Sequence, residues 1–287
     1  MRWGVEQRLE FIEFRLFWEG SINRADVVDH FGVSVPQASK DLTLYQEQAP
    51  GNMEYDTRGK RYVAAAKFVL RFLNPDPYVY LAQLRSVVDG SVPAHDSWIA
   101  ALPMADVALT PNRDIDIEAL RRILDAVRGG SSVEVFYQSM NKLRPDPIWR
   151  RITPHAFGYD GFRWHTRAYC HLEKKFKDFL LPRVLDVRDR DKPGAVGEQD
   201  WLWNSYFDVI IGPHPDLTES QKKVVSKDYG LDHGIGVLAV RYAMLFYVLK
   251  RLGLLGDAAK HNPRTQHIVA FNRKETEAAL KHAELQL

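Results

Sequence analysis

Apolar residues recur at helical spacing three times within the first fifty positions. Leu9, Ile12, Leu16 and Phe17 mark the inner face of a helix over Val5 to Trp18. Ala25, Val28 and Phe31 mark a second, short helix, and Val35, Ala38 and Leu42 mark a third. Gly32 suits the left-handed conformation that ends the second helix. Ser34 can cap the third, whose Pro36 is tolerated only in a first turn. Two short helices joined this way make a helix-turn-helix, whose second helix enters the major groove of DNA. Further on, Met53-Glu54-Tyr55 and Arg61-Tyr62-Val63 flank the polar turn Asp56-Thr57-Arg58-Gly59-Lys60, which predicts a β-hairpin. Together these elements predict a winged helix-turn-helix over residues 1–65.

Residues 66–130 read as a helical connector, with Asn74-Pro75-Asp76-Pro77 and a Pro/Ala-rich stretch from Ser91 to Pro111. Between these, Tyr80, Leu81, Leu84 and Val87-Val88 predict a helix. Another runs from Ile117 to Val127 and ends at Gly129-Gly130. Residues 131–190 switch to strand periodicity. Ser132 to Ser139 alternates, Arg151 to Phe157 can pair with Phe162 to Cys170 across the turn Gly158–Gly161, and a further strand spans Phe179 to Val187. Several short antiparallel strands suggest a small barrel. Residues 201–287 mix a strand, Tyr206 to Ile211, with a helix opened by Glu219-Ser220-Gln221 and another over 235–252, an α/β extension. The fold class is α+β.

At 287 residues the chain has room for two or three domains, and its net charge of +2 points to no bulk polyanion binding. Local charge is more informative. Arg58, Lys60, Arg61, Lys67 and Arg71 form an acid-free basic run, and residues 121–190 carry an excess of about +7. The single Cys170 excludes an internal disulfide framework and a zinc-finger cluster. Glu6, Glu10 and Glu13 do not suit a signal peptide. Ile235 to Leu255 is apolar, but Arg241, Lys250 and Arg251 argue for a buried amphipathic helix rather than a membrane span. A soluble, cytoplasmic protein is expected.

In the strand Phe162 to Cys170, successive side chains face opposite ways. Phe162, Trp164, Thr166, Ala168 and Cys170 suit a core, whereas Arg163, His165, Arg167 and Tyr169 line up on the other face. Two guanidiniums, an imidazole and a phenol in a row suit an anion, since Arg makes bidentate phosphate contacts. Tyr137, Ser139, His155 and Arg183 lie on neighbouring strands, and a phosphate, a nucleotide or single-stranded nucleic acid is the ligand class they suggest. Half-exposed strands also carry Arg and Tyr for no purpose beyond solvation. Catalysis finds no support. Ser139 lacks a Gly-x-Ser-x-Gly elbow, His171 is adjacent to Cys170 on a strand so their side chains diverge, and no metal spacing or phosphate-cradling Gly loop is present. No cofactor or metal is expected.

On the recognition helix, Gln37 and Lys40 are expected to face outward while Val35, Ala38 and Leu42 pack inward. Gln37 could read adenine through its amide, and Lys40 guanine or phosphate. Ser34, Ser39 and Thr43 are phosphate contacts or polar filler, and Arg58, Lys60 and Arg61 place positive charge at the wing. The alternative is a single-stranded nucleic-acid binding module whose winged helix serves only protein contacts. A transcriptional activator is a third reading.

Residues Ser132 to Val187, with Arg167-Ala168-Tyr169-Cys170 and Phe179-Leu180-Leu181-Pro182-Arg183-Val184, resemble a WYL domain. The order of winged helix, WYL domain and C-terminal extension resembles the bacterial WYL regulators of phage-defence loci, the group of BrxR and CapW repressors of BREX and CBASS operons. Trp164-His165-Thr166 stands where that family has Trp-Tyr-Leu. The resemblance implies an Sm-like or SH3-like barrel with a ligand pocket at Tyr137, Ser139, His155, His165, Arg167, Tyr169 and Arg183. It also implies a C-terminal extension that dimerises, and a homodimeric repressor that leaves a palindromic double-stranded operator when a nucleotide or nucleic-acid ligand binds.

Overall fold

Leu9, Ile12 and Leu16 are buried along one helix, α1 (Arg2–Glu19), in the computed structural model of the chain. The structure describes every residue except Met1, Leu109, Asn112, Leu143 and Leu287, and every side chain but those and 2, 3 and 284–286. The chain forms two units, residues 1–110 and 111–287.

In the first unit, β1 (Ser21–Ile22) and α2 (Arg24–Phe31) follow α1. Asn23 caps α2 through a reciprocal pair of bonds with Asp26, and Gly32 ends it at φ 61°. The recognition helix α3 (Val35–Gln48) starts at its cap, Ser34. The hairpin β2 (Met53–Asp56) and β3 (Arg61–Ala64) is the expected wing, and β1, which the sequence does not announce, adds a third strand in the order β1-β3-β2.

Two inward assignments change. Phe17 is exposed while Phe11 and Phe14 are buried, and Val27 rather than Ala25 fills the core beneath α2. For α1 the cause lies in the chain beyond residue 65, which packs onto it. The Trp98 ring lies 5.7 Å from Phe11 and 5.5 Å from Phe14. Tyr80, on α4 (Pro77–Val88), stacks 4.6 Å from Trp18. The buried Glu13 carboxylate accepts the N–H groups of Arg71, Phe72 and Leu73 at 2.6–3.1 Å and the Tyr45 hydroxyl at 3.0 Å.

The second unit begins with α5 (Ile117–Arg128), which ends at Gly129 and lays Ala119, Ile123 and Ala126 on the sheet. That sheet contains β4 (Ser132–Tyr137), β5 (Ile148–Tyr159), β6 (Trp164–Cys170), β7 (Lys175–Leu180) and β8 (Val184–Asp191), all antiparallel, in the order β7-β6-β5-β4-β8. The strand expected over 179–187 is two strands, because Pro182 breaks the ladder in a single turn, Leu181–Arg183. Among the described residues no ladder closes the edges β7 and β8 into a barrel. Four strand spacings would separate those edges by about 19 Å in a flat sheet. The chain from Leu180 to Val184 spans at most about 14 Å. The sheet must therefore curl.

The remainder contains α6 (Trp201–Asn204), β9 (Tyr206–Pro213), α7 (Glu219–Asp228), β10 (Gly236–Arg241), α8 (Leu245–Arg251), β11 (Ile268–Ala270) and α9 (Arg273–Gln286). The helix expected over 235–252 is instead strand β10, a turn and the short α8. Val237 to Val240 pairs in register with Phe207 to Ile210, which a continuous helix would forbid. The small sheet has the order β10-β9-β11. Val209, Ile211, Val240 and Ile268 bury one face of it against Val225, Leu245 and Leu249. No described helix is long and apolar enough to cross a membrane.

Candidate functional site

The first candidate surface is α3 with the wing. Ser34 Oγ accepts the Gln37 N–H at 3.3 Å, and Ala38, Leu42 and Tyr45 turn into the core. Ser34, Lys40 and Thr43 are exposed. Ser39 is half-buried; its hydroxyl donates to the Val35 carbonyl at 3.0 Å and accepts from Arg24 Nη1 at 3.3 Å. Two residues depart from expectation. Gln37 is half-buried, and its Nε2 donates to Asp41 Oδ1 at 3.0 Å. Asp41 is itself gripped by Arg8, Nε at 2.6 Å and Nη2 at 3.2 Å, so the amide belongs to the seam between α1 and α3. Val35, expected inside, is 48% exposed, since Ala38 and Leu42 already fill the space beneath the helix.

At the wing tip, Asp56 Oδ1 accepts the N–H groups of Arg58 and Gly59 at 3.0 and 2.9 Å, a turn that an aspartate builds locally. Arg58, Lys60 and Arg61 are exposed. Arg61 Nε lies 3.9 Å from Asp56, at the margin of an ion pair, and Arg58 and Lys60 make no ion pair among the described residues.

The second candidate surface, the polar face of β6, is not the open surface expected. His165 and Arg167 are buried, while Trp164 and Phe162, expected in the core, are exposed. Residues after 195 supply the cover. Arg167 Nε and Nη2 donate to the two Asp200 oxygens at 2.7 and 3.1 Å, and Nη1 donates to Asp178 at 3.3 Å. His155 Nε2 lies 3.0 Å from the same Asp200, and the Tyr247 hydroxyl of α8 donates to Asp178 at 3.1 Å. Beside them the His165 ring sits 4.9 Å from Tyr247, with its Nε2 3.1 Å from Asp160. Thus His155, His165 and Arg167 are brought together, each already matched by a carboxylate.

The electrostatics follow that pairing. Burial works against charge on Asp200, but bonds from His155 and Arg167 prevail and hold its carboxyl below the usual range. Arg167 is likewise buried, yet Asp200 and Asp178 push its pKa upward. Burial, with Asp178 opposite, raises the Tyr247 phenol.

The other predicted ligand residues do not join this group. Tyr137 is buried on the core side, its ring 5.0 Å from Phe179 and its hydroxyl accepting the Leu180 N–H at 3.2 Å. Ser139 Oγ accepts the Asn141 N–H at 3.1 Å. The Tyr169 ring packs 5.4 Å from Phe176, and Arg183 accepts the Gln138 N–H through its carbonyl at 3.0 Å. His155 also lines a cavity of about 460 Å³ with Thr153, Pro154, Trp203 and Asn204.

Sequence reading missed two residues here. Asp200 lies 33 positions from Arg167, with nothing local to mark it. Arg150 lies one residue before the expected strand start. It is buried, 5.7 Å from the Tyr137 ring, with Nη1 3.5 Å from Glu173 and its Nε and Nη2 without hydrogen-bond partners among the described residues. Its signal is alternation with Ile152, in a strand that starts at Ile148 rather than at Arg151.

Comparison with known proteins adds three matches to family models. The BrxR transcriptional regulator winged helix-turn-helix domain matches residues 4–86, the WYL domain residues 118–189, and the BrxR transcriptional regulator C-terminal dimerization domain residues 206–276. The DNA-binding transcriptional repressor CapW of Stenotrophomonas maltophilia is 39% identical over 96% of this chain and 92% of its own length. The protein of the same name from Pseudomonas aeruginosa is 38% identical over 98% and 93%. Among solved structures, proteasome accessory factor B/C (PafBC) of Arthrobacter aurescens aligns with 91% of this chain and 45% of its own, at 18% identity and a TM-score of 0.25, too low to bear on the fold.

Proposed function

The chain belongs to the BrxR/CapW family of DNA-binding transcriptional repressors, regulators and not enzymes, and from that premise we propose that it is a homodimeric repressor of a phage-defence operon of the BREX or CBASS kind. It would act in the cytoplasm, on a double-stranded operator with an inverted repeat. The observation that carries this reading is the outer side of α3, where Lys40 and Thr43 stand exposed, followed in the chain by a hairpin tip with three exposed basic residues. Ser34, Ser39, Arg58, Lys60 and Arg61 are the phosphate-contact candidates.

The curled sheet is read as the Sm/SH3-like barrel of the WYL domain, with β7 and β8 drawn together by their short junction. Its ligand is an anion, a nucleotide or nucleic acid. With Arg167 already held by two carboxylates, such a ligand must compete with Asp200 and Asp178 for the guanidinium. Displacing Asp200 would free a residue that also caps α6, its Oδ1 accepting the Trp203 N–H at 3.3 Å immediately before β9. That couples ligand entry to the dimerising end of the chain, and the differential affinity of the two arrangements sets how far the equilibrium moves.

The test is a gel-shift titration of the full chain against duplex DNA from upstream of its own gene, beside a scrambled duplex and a single strand at near-physiological salt. Selective binding to an inverted repeat is expected, with release when short oligonucleotides are added. Equal binding to all duplexes, or preference for the single strand, would replace this reading by a single-stranded nucleic-acid binding module. A promoter fusion that falls in activity when the gene is deleted would make the protein an activator.

A further inference from the structure

We infer that Val35, the first residue of α3, reads the 5-methyl group of a thymine in the operator's major groove. The inference rests on the DNA-binding reading and names the chemistry that reading leaves open. Single exposed apolar side chains are ordinary on protein surfaces, so exposure of Val35 carries nothing by itself. Its position does. The N-terminal residues of a recognition helix are those that meet base edges. Of the groups on the floor of the major groove, the thymine methyl is the apolar one.

The polar neighbours on the same turn are oriented by bonds within the first unit, which leave the Ser34 O–H and the second Gln37 Nε2–H as donors. Ser34 Oγ is the cap of the helix, bonded to the Gln37 N–H. Gln37, the natural reader of adenine, needs both ends of its amide for a bidentate contact. Its Nε2 is instead held by Asp41, which two bonds from Arg8 fix in place. The side chains that lead the helix are Val35 and an exposed Pro36, which carry no donor or acceptor. Such a surface fits a methyl group and leaves the amino group of cytosine or the acceptors of guanine unmatched.

Val35 is also suited to the task mechanically. A β-branched side chain in a helix is nearly confined to one rotamer, so little freedom is lost when it docks. The bond from Ser39 Oγ to the Val35 carbonyl ties this first turn to the next one, and Arg24 in turn donates to that hydroxyl. A small apolar probe on a tied-down turn is a specificity element, whereas Lys40 and the wing supply charge.

The experiment starts from a duplex selected by the full-length protein out of a randomised pool. Each thymine of one half-site is then replaced by deoxyuridine, which removes only the methyl group. Wild-type protein is expected to lose about fourfold in affinity at one position per half-site, the value of one buried methyl. Val35→Ala, which removes the contact from both protomers, should bind the thymine duplex about as weakly as wild type binds a duplex carrying that uridine in both half-sites, with no further loss on uridine substitution. The assignment is overturned if wild type tolerates every uridine, or if Val35→Ala keeps the same uridine penalty. Failure to select any duplex would instead remove the regulator reading, and this assignment with it.

Discussion

Asp160 governs the turn between β5 and β6. Its Oδ1 accepts the N–H groups of Phe162 and Arg163 at 2.8 and 2.6 Å, and its Oδ2 accepts Arg163 Nε at 2.9 Å and lies 3.1 Å from His165 Nε2. Burial opposes the charge, but these bonds prevail and bring the carboxyl down to about 2 from an ordinary value of 3.8. A carboxylate favoured in the folded state contributes stability above the ordinary value, and that contribution is lost as pH falls toward 2. Asp160→Asn is therefore expected to cost roughly 2 kcal/mol at neutral pH, with the gap to wild type narrowing between about pH 4 and pH 2. Denaturant titrations at pH 7, 4 and 3 check this, and a gap independent of pH would refute it. Little of this was visible in the sequence, where Asp160 reads only as a turn residue. Glu13 is a comparable case: a helical glutamate gives no sign that it will gather three backbone N–H groups from nearly sixty positions away.

At the scale of elements, what is local was legible. Gly32, Ser34, the 53–64 hairpin and the Gly129 terminus of α5 all fall where their turn chemistry put them, because a cap or turn is decided by residues within four positions. What depends on distant partners was not. The apolar run from Ile235 suits a buried helix or a strand equally, and β9, some thirty residues earlier, decides it. The polar face of β6 was correct as alternation and wrong as a surface, because its cover arrives from residue 200 and beyond. The wing offers a test that stays within one element. Arg58, Lys60 and Arg61 are exposed, so Lys60→Ala and Arg61→Ala should leave the fold intact. If they touch phosphate, each substitution lowers affinity for every duplex alike and reduces the slope of log K against log salt by about one. Titrations at several salt concentrations read that slope; a change in sequence preference would show base contact instead.

For the whole molecule, the matched C-terminal dimerization domain limits where a second copy can dock. One face of the β10-β9-β11 sheet is covered by α7 and α8 and cannot serve. The opposite face carries Ile210 and leaves Tyr206 52%, Val237 59% and Phe271 53% exposed, with Phe271 lying over Gly212 where any side chain would clash. We propose that a second copy covers this face, since it falls inside the matched range and exposes these three large apolar side chains, with Asp208 and Arg241 also on it. Dimerisation matters to binding because one half-site engaged makes the second an intramolecular event. In the proposed dimer the two recognition helices would meet half-sites one helical turn, roughly 34 Å, or a multiple of it apart. Val237→Asp places a charge on the β10 side of that face without touching the core, so each protomer should stay folded. The variant is expected to sediment as a 33.0 kDa monomer. Its affinity for a full inverted repeat should fall to that for a single half-site, while half-site binding stays at the wild-type value. A dimer that survives Val237→Asp would move the interface to another part of residues 206–276, and an unchanged affinity in a true monomer would mean that the two recognition helices do not act together.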